Sequence, residues 1–309
     1  MFHVSRNRAV LTVRIDTRSP LLIKAASAPL DPTRAELAAV RTRHASLGET
    51  VYIPGSSLKG VLRSAVERSF RDRAIARLPQ VCDPLAGQTS CGERLRNERD
   101  GAARHRAHCP ACRMFGSTAL RGRIAIRDLF PFDPSRDPAD PASHESKGRA
   151  NRTELRPRVS INRLSGGTNP SALFDMEVVP AGASFWGEIA LVNYQLWQLG
   201  ALLRAIGELN KGTIRLGGGK SHGLGRIGLS IVSVEHEQQP AHSGTGPAGV
   251  GLLAPETEAE RYGLLLPDGA LDRDVEGESL GLARRFHWRT PEAIARWAGA
   301  AAQTPGSRP

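Results

Sequence analysis

The sequence lacks the features that mark membrane proteins and secreted proteins. No window approaches eighteen uninterrupted apolar residues, and the N-terminus does not show the charged, then apolar, then small-residue order of a signal peptide. Aromatic residues make up only 5% of the chain. The rest of the composition, 40% apolar and 24% charged over 309 residues, describes a soluble globular protein of one large or two ordinary domains. We therefore expect a cytoplasmic protein with no membrane partner.

Acidic residues are also in deficit, with 31 Asp and Glu against 42 Lys and Arg, which gives a formal charge of +11. Few of the basic residues are lysine. Arginine forks match phosphate oxygens and stack on exposed bases, so this surplus favours RNA or DNA over a membrane surface. The alternative is a genome rich in G and C, which raises arginine and alanine content without any functional cause.

The stretch VYIPGSSLKGVLRSAV, residues 51–66, predicts a strand, a tight turn and an amphipathic helix. The Pro-Gly pair forces the turn, and Ser56 or Ser57 can cap the helix. Backbone N–H groups, two hydroxyls and Lys59 would then point the same way, which is the outline of an anion site. The alternative is that this is an ordinary strand–turn–helix unit with a solvated lysine.

All four cysteines of the chain fall within 31 residues, in a C-x₈-C-x₁₇-C-x₂-C arrangement. The closing CPAC places two thiolates on one tight turn, which suits a tetrahedral zinc ion, and the other two cysteines can close the site. His105 and His108 are candidate substitutes for one cysteine, and disulfides are the alternative, although a cytosolic chain keeps its thiols reduced. A closed site of this kind predicts a structural Zn²⁺ held by Cys82, Cys91, Cys109 and Cys112.

Two further segments carry positive charge. Residues 147–163 contain six Lys or Arg residues and one acid, followed by a glycine turn and an alternating apolar return, which predicts a long hairpin with a cationic end. A glycine-rich loop, LGGGKSHGLGRI, precedes a strand. Its glycines allow the backbone, Lys220, Ser221 and Arg226 to approach a sugar-phosphate chain closely.

Five motifs stand in one order between about residue 8 and residue 235: IPGSSLKGVLRS, CPACRMFGS, GRIAIRDL, LFDMEVVPAG and LGGGKSHGLGRI. In this order the sequence resembles the RAMP superfamily, in particular the repeating backbone subunits of type III CRISPR effector complexes. The resemblance implies an α+β fold with a ferredoxin-like (RRM-type) core, a zinc-binding insertion and a long thumb-like β-hairpin. It also implies partners: crRNA, complementary target RNA, further copies of the chain and other effector subunits.

In such subunits the helix after the Pro-Gly turn and the glycine loop hold guide phosphates, and the thumb interrupts guide–target pairing. Several members share the zinc segment. Carried over onto this sequence, the expected RNA-binding residues are Ser56, Ser57, Lys59, Arg63, Arg152, Arg156, Arg158, Arg163, Gly218, Gly219, Lys220, Ser221 and Arg226.

The resemblance divides the chain into a core over residues 1–236, with the zinc-binding insertion at 80–114 and the thumb at about 145–178. Residues 237–256 are rich in Gly, Pro and Ser or Thr and predict a linker. We expect residues 257–309 to form a C-terminal extension that is peripheral or partly disordered.

In members that cut target RNA, an aspartate lies in the loop before the IPGSSLKG strand, where a carboxylate can hold Mg²⁺ or orient the attacking 2′-OH. By its spacing to VRT, this position falls on Glu36, and Asp31 stands five residues earlier. Glutamate is one methylene longer than aspartate. The resemblance therefore leaves open whether the chain cuts RNA or only holds it.

Two other functions stay open from the sequence. One is a pre-crRNA processing endoribonuclease, as other RAMP proteins are, for which His44 or His222 would be the candidate general base. The other is a zinc-stabilised RNA-binding module with no role in defence. Each histidine can equally be a surface or RNA-contacting residue.

Overall fold

The computed structural model describes residues 3–24, 35–71, 78–240, 246–265 and 277–302, together with residues 268, 271 and 275. The strands are β1 (Asn7–Thr17), β2 (Arg41–His44), β3 (Gly48–Val51), β4 (Ile124–Ile126), β5 (Glu154–Ile161), β6 (Thr168–Val178), β7 (Ser184–Val192), β8 (Ile227–Gln238), β9 (Glu278–Leu280) and β10 (Ala283–Trp288). The helices are α1 (Gly55–Arg71), α2 (Cys91–Arg94), α3 (Gly101–Ala107), α4 (Pro110–Phe115), α5 (Pro141–Asn151), α6 (Leu196–Lys211), α7 (Val250–Leu253), α8 (Glu256–Tyr262) and α9 (Pro291–Ala302).

A six-stranded antiparallel sheet in the order β4-β7-β1-β8-β10-β9 forms the centre of the molecule. Along the chain, four strands of this sheet and two long helices follow one another in the order β1-α1-β4-β7-α6-β8. This mixed α/β architecture with a large antiparallel sheet is compatible with the ferredoxin-like core that the resemblance implies. Two shorter hairpins, β2–β3 and β5–β6, stand outside the main sheet.

Strand β1 divides its side chains between two environments. Ala9, Leu11, Val13 and Ile15 are fully buried, whereas Arg8 and Arg14, at alternate positions of the strand, are exposed. This period of two is the pattern of a strand with one face on the core. The helix face of the sheet therefore contains the core, and the opposite face carries the charged side chains.

Helices α1 and α6 cover the helix face through residues that recur every three or four positions. Leu58, Leu62 and Val66 of α1 are buried, and Phe70 meets Trp197 of α6 edge-on, with their ring centroids 6.1 Å apart. Gly55 begins α1 where no larger residue fits, since a Cβ there would lie 2.2 Å from the carbonyl oxygen of Ile126. Helix α1 is thus fixed tightly against β4.

The hairpin predicted over about 145–178 is shorter than expected, because its first part is helical. Asp140 caps α5 by accepting the N–H of Ala142 at 2.9 Å, and Pro141 stands in the first turn. The two strands of the hairpin, Glu154–Ile161 and Thr168–Val178, follow this helix. Residues 145–151, which the prediction assigned to the hairpin, therefore belong to α5.

The expectation of a peripheral C-terminal extension is wrong for its last described residues. Strand β10 pairs with β8 and extends the sheet, and Phe286, Trp288 and Trp297 are buried in the main core. Val250, in the predicted linker, is also buried and donates its N–H to the Tyr194 carbonyl at 2.8 Å. Three large aromatic rings supply enough apolar area to hold this segment on the sheet. No helix among the described residues is long and apolar enough to cross a membrane.

Candidate RNA interface and metal centre

The four cysteines converge on one point between the short helices α2 and α4. Their Sγ atoms all lie within 4.8 Å of one another, with Cys82 at 3.6 Å from Cys112 and at 3.8 Å from Cys109. A tetrahedral zinc ion with Zn–S bonds of about 2.3 Å separates its sulfur ligands by about 3.8 Å. The sulfur atoms are also too far apart for disulfides. The donor set therefore fits one tetrahedral metal ion.

Hydrogen bonding within the cluster shows why a cation suits it. Hydrogen bonds from the Cys109 and Cys112 thiols lower the pKa of Cys91, whereas hydrogen bonds shared with Cys109 and Cys91 raise the pKa of Cys112. One thiolate thus disfavours a second beside it. A divalent ion would offset this repulsion and allow all four sulfurs to bind as thiolates.

The two histidines near the cluster are engaged in other contacts. His108 contacts the Arg104 carbonyl at 2.7 Å through Nδ1 and the Ser117 hydroxyl at 2.8 Å through Nε2. His105 contacts the Tyr262 carbonyl at 2.9 Å, which attaches the cysteine segment to α8. Among the described residues, the group that could hold a metal ion consists of the four cysteines without either histidine.

Arg63 lies beside this centre, although the resemblance implies that it is a phosphate ligand. Its guanidinium donates to Glu67 at 2.7 Å, to the Gly116 carbonyl at 3.0 Å and to the Cys112 Sγ at 3.5 Å. The side chain is half-buried, and the hydrogen bond to Glu67 and the nearby sulfur atoms raise its pKa against the opposing effect of burial. Arg63 therefore links α1 to the metal centre.

The N-terminus of α1 already holds an acidic side chain. The Asp128 carboxylate accepts the N–H of Gly55 at 2.8 Å, and the N–H of Ser57 points to the Pro54 carbonyl at 3.0 Å. A carboxylate in this place competes with a phosphate for the same N–H group. The exposed Ser56 and the half-buried Lys59 stay available at the helix surface.

The basic residues of α1 and of the glycine loop meet in one groove of about 340 Å³. Ser64 and Arg68 line it from α1, and Arg215 and the exposed pair Lys220 and Ser221 line it from the loop. The sequence pointed to Lys220 and Ser221 but missed Arg68 and Arg215. Arg68 lies three turns into α1, in line with Ser64 and outside the Pro-Gly motif, and this helical spacing could have indicated it.

The glycines of this loop serve its own packing. A Cβ on Gly217 would lie 2.2 Å from the Leu22 carbonyl oxygen, and both Gly217 and Gly219 have positive φ. Gly218 donates its N–H to the same Leu22 carbonyl at 2.8 Å. The loop is thereby folded back on the segment that follows β1, and the turn at Lys220–His222 is exposed. Arg226 is exposed where the loop enters β8.

The β5–β6 hairpin presents different side chains on its two faces. One face carries exposed apolar residues, including Leu155, Val159 and Leu173, and the other carries Arg156 and Arg158. Arg156 pairs with Glu154 at 2.7 Å. The remaining predicted residues, Arg152 and Arg163, are exposed. Arg163 lies in the turn of this hairpin, which stands outside the main sheet, whereas Arg152 lies between α5 and β5.

A polar network joins the base of this hairpin to the segment that contains Glu36. The Glu177 carboxylate pairs with Arg41 at 2.6 Å and accepts the N–H of Ala39 at 2.9 Å. Leu37 exchanges backbone hydrogen bonds of 3.0 Å with residues 175 and 177. The segment therefore runs beside the base of the hairpin, and Glu36 is exposed there. Asp31 lies outside the described residues.

His44 is poorly suited to act as a general base. Its Nδ1 accepts the backbone N–H groups of Ser46 and Leu47 at 3.2 and 3.3 Å. The neutral ring then carries its proton on Nε2, so neither nitrogen has a free lone pair. His222 lies in the exposed turn of the glycine loop, beside the groove residues.

Comparison with known proteins agrees with the order of the motifs. The family model described as the RAMP superfamily matches residues 14–228. A relative described as "CRISPR system Cms endoribonuclease Csm3", from Methanothermobacter thermautotrophicus (strain Delta H), is 27% identical over 221 residues, which is 65% of this chain and 76% of that protein. The matched family region spans the cysteine centre and both sides of the groove.

Proposed function

Because the chain belongs to the RAMP superfamily, we propose that it is a crRNA-binding backbone subunit of a type III-like CRISPR effector complex. In this role it holds guide RNA for pairing with target RNA, next to further copies of itself and other effector subunits in the cytoplasm. The observation that carries the proposal is the basic groove, since it brings together two segments that lie about 150 residues apart in the sequence. The relative named as a CRISPR endoribonuclease supports the same assignment.

The groove suits the backbone of single-stranded RNA. Arg68, Arg215 and Lys220 supply positive charge, and the hydroxyls of Ser64 and Ser221 can donate to phosphate oxygens. Contacts of this kind read the backbone and not the base sequence. A subunit that must accept any guide sequence needs this kind of contact.

The β5–β6 hairpin supplies the thumb in this proposal. Its exposed Leu155, Val159 and Leu173 would meet nucleotide bases, while Arg156 and Arg158 on the other face would meet phosphates. An isolated two-stranded hairpin with so much exposed apolar surface needs a partner to cover it. RNA held in a stack of subunits is a partner of the right chemistry.

The cysteine centre holds a structural zinc ion in this proposal. Four protein sulfurs complete the tetrahedron and leave no open position for water, so the metal supplies folding energy and no catalysis. It fixes the segment between Cys82 and Cys112 against α1 and thereby supports one wall of the groove. Cleavage, if the subunit performs it, uses Glu36 with Mg²⁺ at the base of the thumb.

The test is reconstitution with a guide RNA and a complementary target. The full chain is coexpressed with a repeat–spacer transcript, purified, and assayed for retained RNA, and target RNA is then added with Mg²⁺ or with EDTA. We expect the guide to copurify and the double variant Arg68→Ala, Lys220→Ala to lose most of it. The matched control Arg296→Ala, an exposed arginine on α9, should retain it.

Each class of function gives a different result in this assay. Target cuts at regular spacing that require Mg²⁺ identify a slicing backbone subunit, and retained guide without cuts identifies a scaffold. Metal-independent cuts within the repeat would identify a maturation nuclease and overturn the proposal. A chain that retains no RNA at all would also overturn it.

A further inference from the structure

Five partly buried rings lie together on the sheet face opposite α1 and α6, a group we call the ring cluster: His44, Tyr52, Phe130, Phe132 and Trp186. Trp186 stands directly across from Arg14 in the β1–β7 ladder, and Phe130 bridges to Trp186. Side chains that face each other across antiparallel strands share one face of the sheet. The cluster therefore lies away from the groove between α1 and the glycine loop.

Four of the five rings contact one another closely, and Trp186 joins them through the backbone bridge between residues 130 and 186. The centroid of Phe130 is 4.7 Å from that of His44 and 5.8 Å from that of Tyr52, which it stacks on at an interplanar angle of 16°. Phe132 lies 6.4 Å from His44. Such distances let the rings hold one another in place and present a surface that needs no rearrangement to stack a further ring.

The concentration of half-buried aromatic residues at this site is unusual for this chain. Most of the described Phe, Tyr and Trp residues are buried in the core. Those that are half-buried are Tyr52, Phe130, Phe132, Phe174, Trp186 and Tyr262. Four of these six belong to the ring cluster. In a sequence with only 5% aromatic residues, most of the half-buried rings among the described residues therefore lie in one patch.

Polar groups around the rings could bind the polar atoms of a nucleotide. The guanidinium carbon of Arg14 lies 5.9 Å from the centroid of the Trp186 ring, and the exposed Arg43 lines an adjacent groove of about 480 Å³. Because Nδ1 of neutral His44 accepts two backbone N–H groups, its Nε2–H is a hydrogen-bond donor. Rings, a donor and nearby guanidinium groups together can recognise a base and its phosphate.

We propose that the ring cluster is a second RNA contact, which stacks an unpaired base of single-stranded RNA while Arg14 or Arg43 meets the adjoining phosphate. The open face of an RRM-type sheet binds bases through aromatic residues in the same physical way. The proposal rests on the proposed function. It adds a base-stacking surface on the face of the sheet opposite the phosphate groove.

The first experiment identifies the contact directly in the full-length protein. A short single-stranded RNA containing 5-iodouridine is bound, irradiated and digested, and the cross-linked peptides are identified by mass spectrometry. We expect cross-links at Tyr52, Phe130 or Trp186. Cross-links confined to residues outside the ring cluster would overturn the proposal.

A second measurement uses variants that keep apolar volume. We expect the double variant Tyr52→Leu, Phe130→Leu to bind the same RNA about 5- to 100-fold more weakly. It should also lose the advantage that wild type shows for this RNA over an abasic one. Tyr262→Leu, a half-buried ring elsewhere, is the matched control and should bind as wild type does.

The outcomes separate this inference from the proposed function. If Arg68→Ala and Lys220→Ala weaken RNA binding but the leucine variants bind as wild type, the ring cluster is not a base site and the proposed function stands. If the wild-type chain binds no RNA, both fail. If the leucine variants instead change only the association between copies of the chain, the cluster is a protein interface and the proposal is wrong.

Discussion

Arg63 donates from its Nη2 atom to the Sγ atom of Cys112 at a distance of 3.5 Å. The same guanidinium donates hydrogen bonds to the Gly116 carbonyl and to the Glu67 carboxylate. It therefore connects α1 to the end of the segment that contains the four cysteines. A cluster of four thiolates around a divalent ion carries a net negative charge. A neighbouring guanidinium stabilises that charge.

Replacing Arg63 should weaken metal binding. We expect Arg63→Met to lower zinc affinity about 10- to 100-fold, the usual effect of losing a hydrogen bond to a metal ligand. A competition titration with a chromophoric chelator measures this. Arg68→Met, on the same helix but facing the groove, should leave zinc affinity unchanged, and equal affinities for both variants would contradict the assignment.

Removing the metal should loosen one segment while the sheet persists. We expect one zinc ion per chain, and we expect chelation to raise amide hydrogen exchange over residues 82–117 much more than in β1 or β8. The central strands have their own buried core, whereas the cysteine segment is packed largely around its sulfur atoms. Uniform exchange across the chain after chelation, or no bound zinc, would contradict this.

The groove should bind RNA with a measurable dependence on salt. Each phosphate contact to a single strand contributes about 0.7 to the slope of log affinity against log salt. We therefore expect Arg68→Ala and Lys220→Ala each to reduce that slope by about 0.7. Binding isotherms from 50 to 400 mM salt test this, and a variant with weaker binding but an unchanged slope would not be a phosphate ligand.

The buried His236 should make stability depend on pH. Burial lowers its pKa from 6.5 to about 4, against a smaller opposing effect of its hydrogen bond to Gln238. The unfolded chain therefore binds more protons than the folded chain in this range. The stability contributed by the neutral ring is complete above pH 6.5 and is lost as the pH falls through 4, by about 3 kcal/mol.

The measurement is denaturant unfolding of wild type and His236→Gln between pH 4 and pH 7.5. Glutamine can accept from Tyr194 and donate to Gln238 without titrating. Burial raises the pKa of Asp268 to about 7, which contributes a slope of opposite sign over the same range. The difference between the two proteins isolates the histidine, and identical slopes would show that His236 does not titrate as expected.

Local patterns in the sequence predicted the main elements. The Pro-Gly turn followed by an amphipathic pattern identified α1, and the order of the motifs identified the RAMP superfamily. The convergence of the four sulfurs could also be predicted, because the CPAC pair and the two other cysteines lie close together in sequence. These features depend on neighbours within one element or one segment.

Contacts between distant parts of the chain could not be predicted in the same way. Asp128 and Gly55 are 73 residues apart, so nothing near α1 showed that its N-terminus was occupied. The alternation in β10 was short and followed a region of mixed composition. Strand β10 pairs with β8, and its Phe286 and Trp288 are buried in a core built mainly by residues far away in the sequence.

The position of Glu36 makes the question of cleavage testable. Backbone hydrogen bonds join Leu37 to residues 175 and 177 of β6, so the exposed Glu36 lies next to the base of the proposed thumb. If Glu36 carries the reaction, Glu36→Ala should reduce Mg²⁺-dependent target cutting by about 100-fold or more and leave guide retention unchanged. Asp31→Ala should then have little effect.

A shorter side chain gives the sharper comparison. Glu36→Asp restores the shorter side chain that RNA-cutting members have at this position, so we expect this variant to cut target RNA faster than wild type. The control is Glu145→Ala, which removes an exposed acid on α5 and should not change the cutting rate. Cutting rates are measured on a labelled target in excess complex. Loss of cutting in Asp31→Ala alone would move the catalytic role to Asp31, and cutting that survives in both alanine variants would exclude this loop.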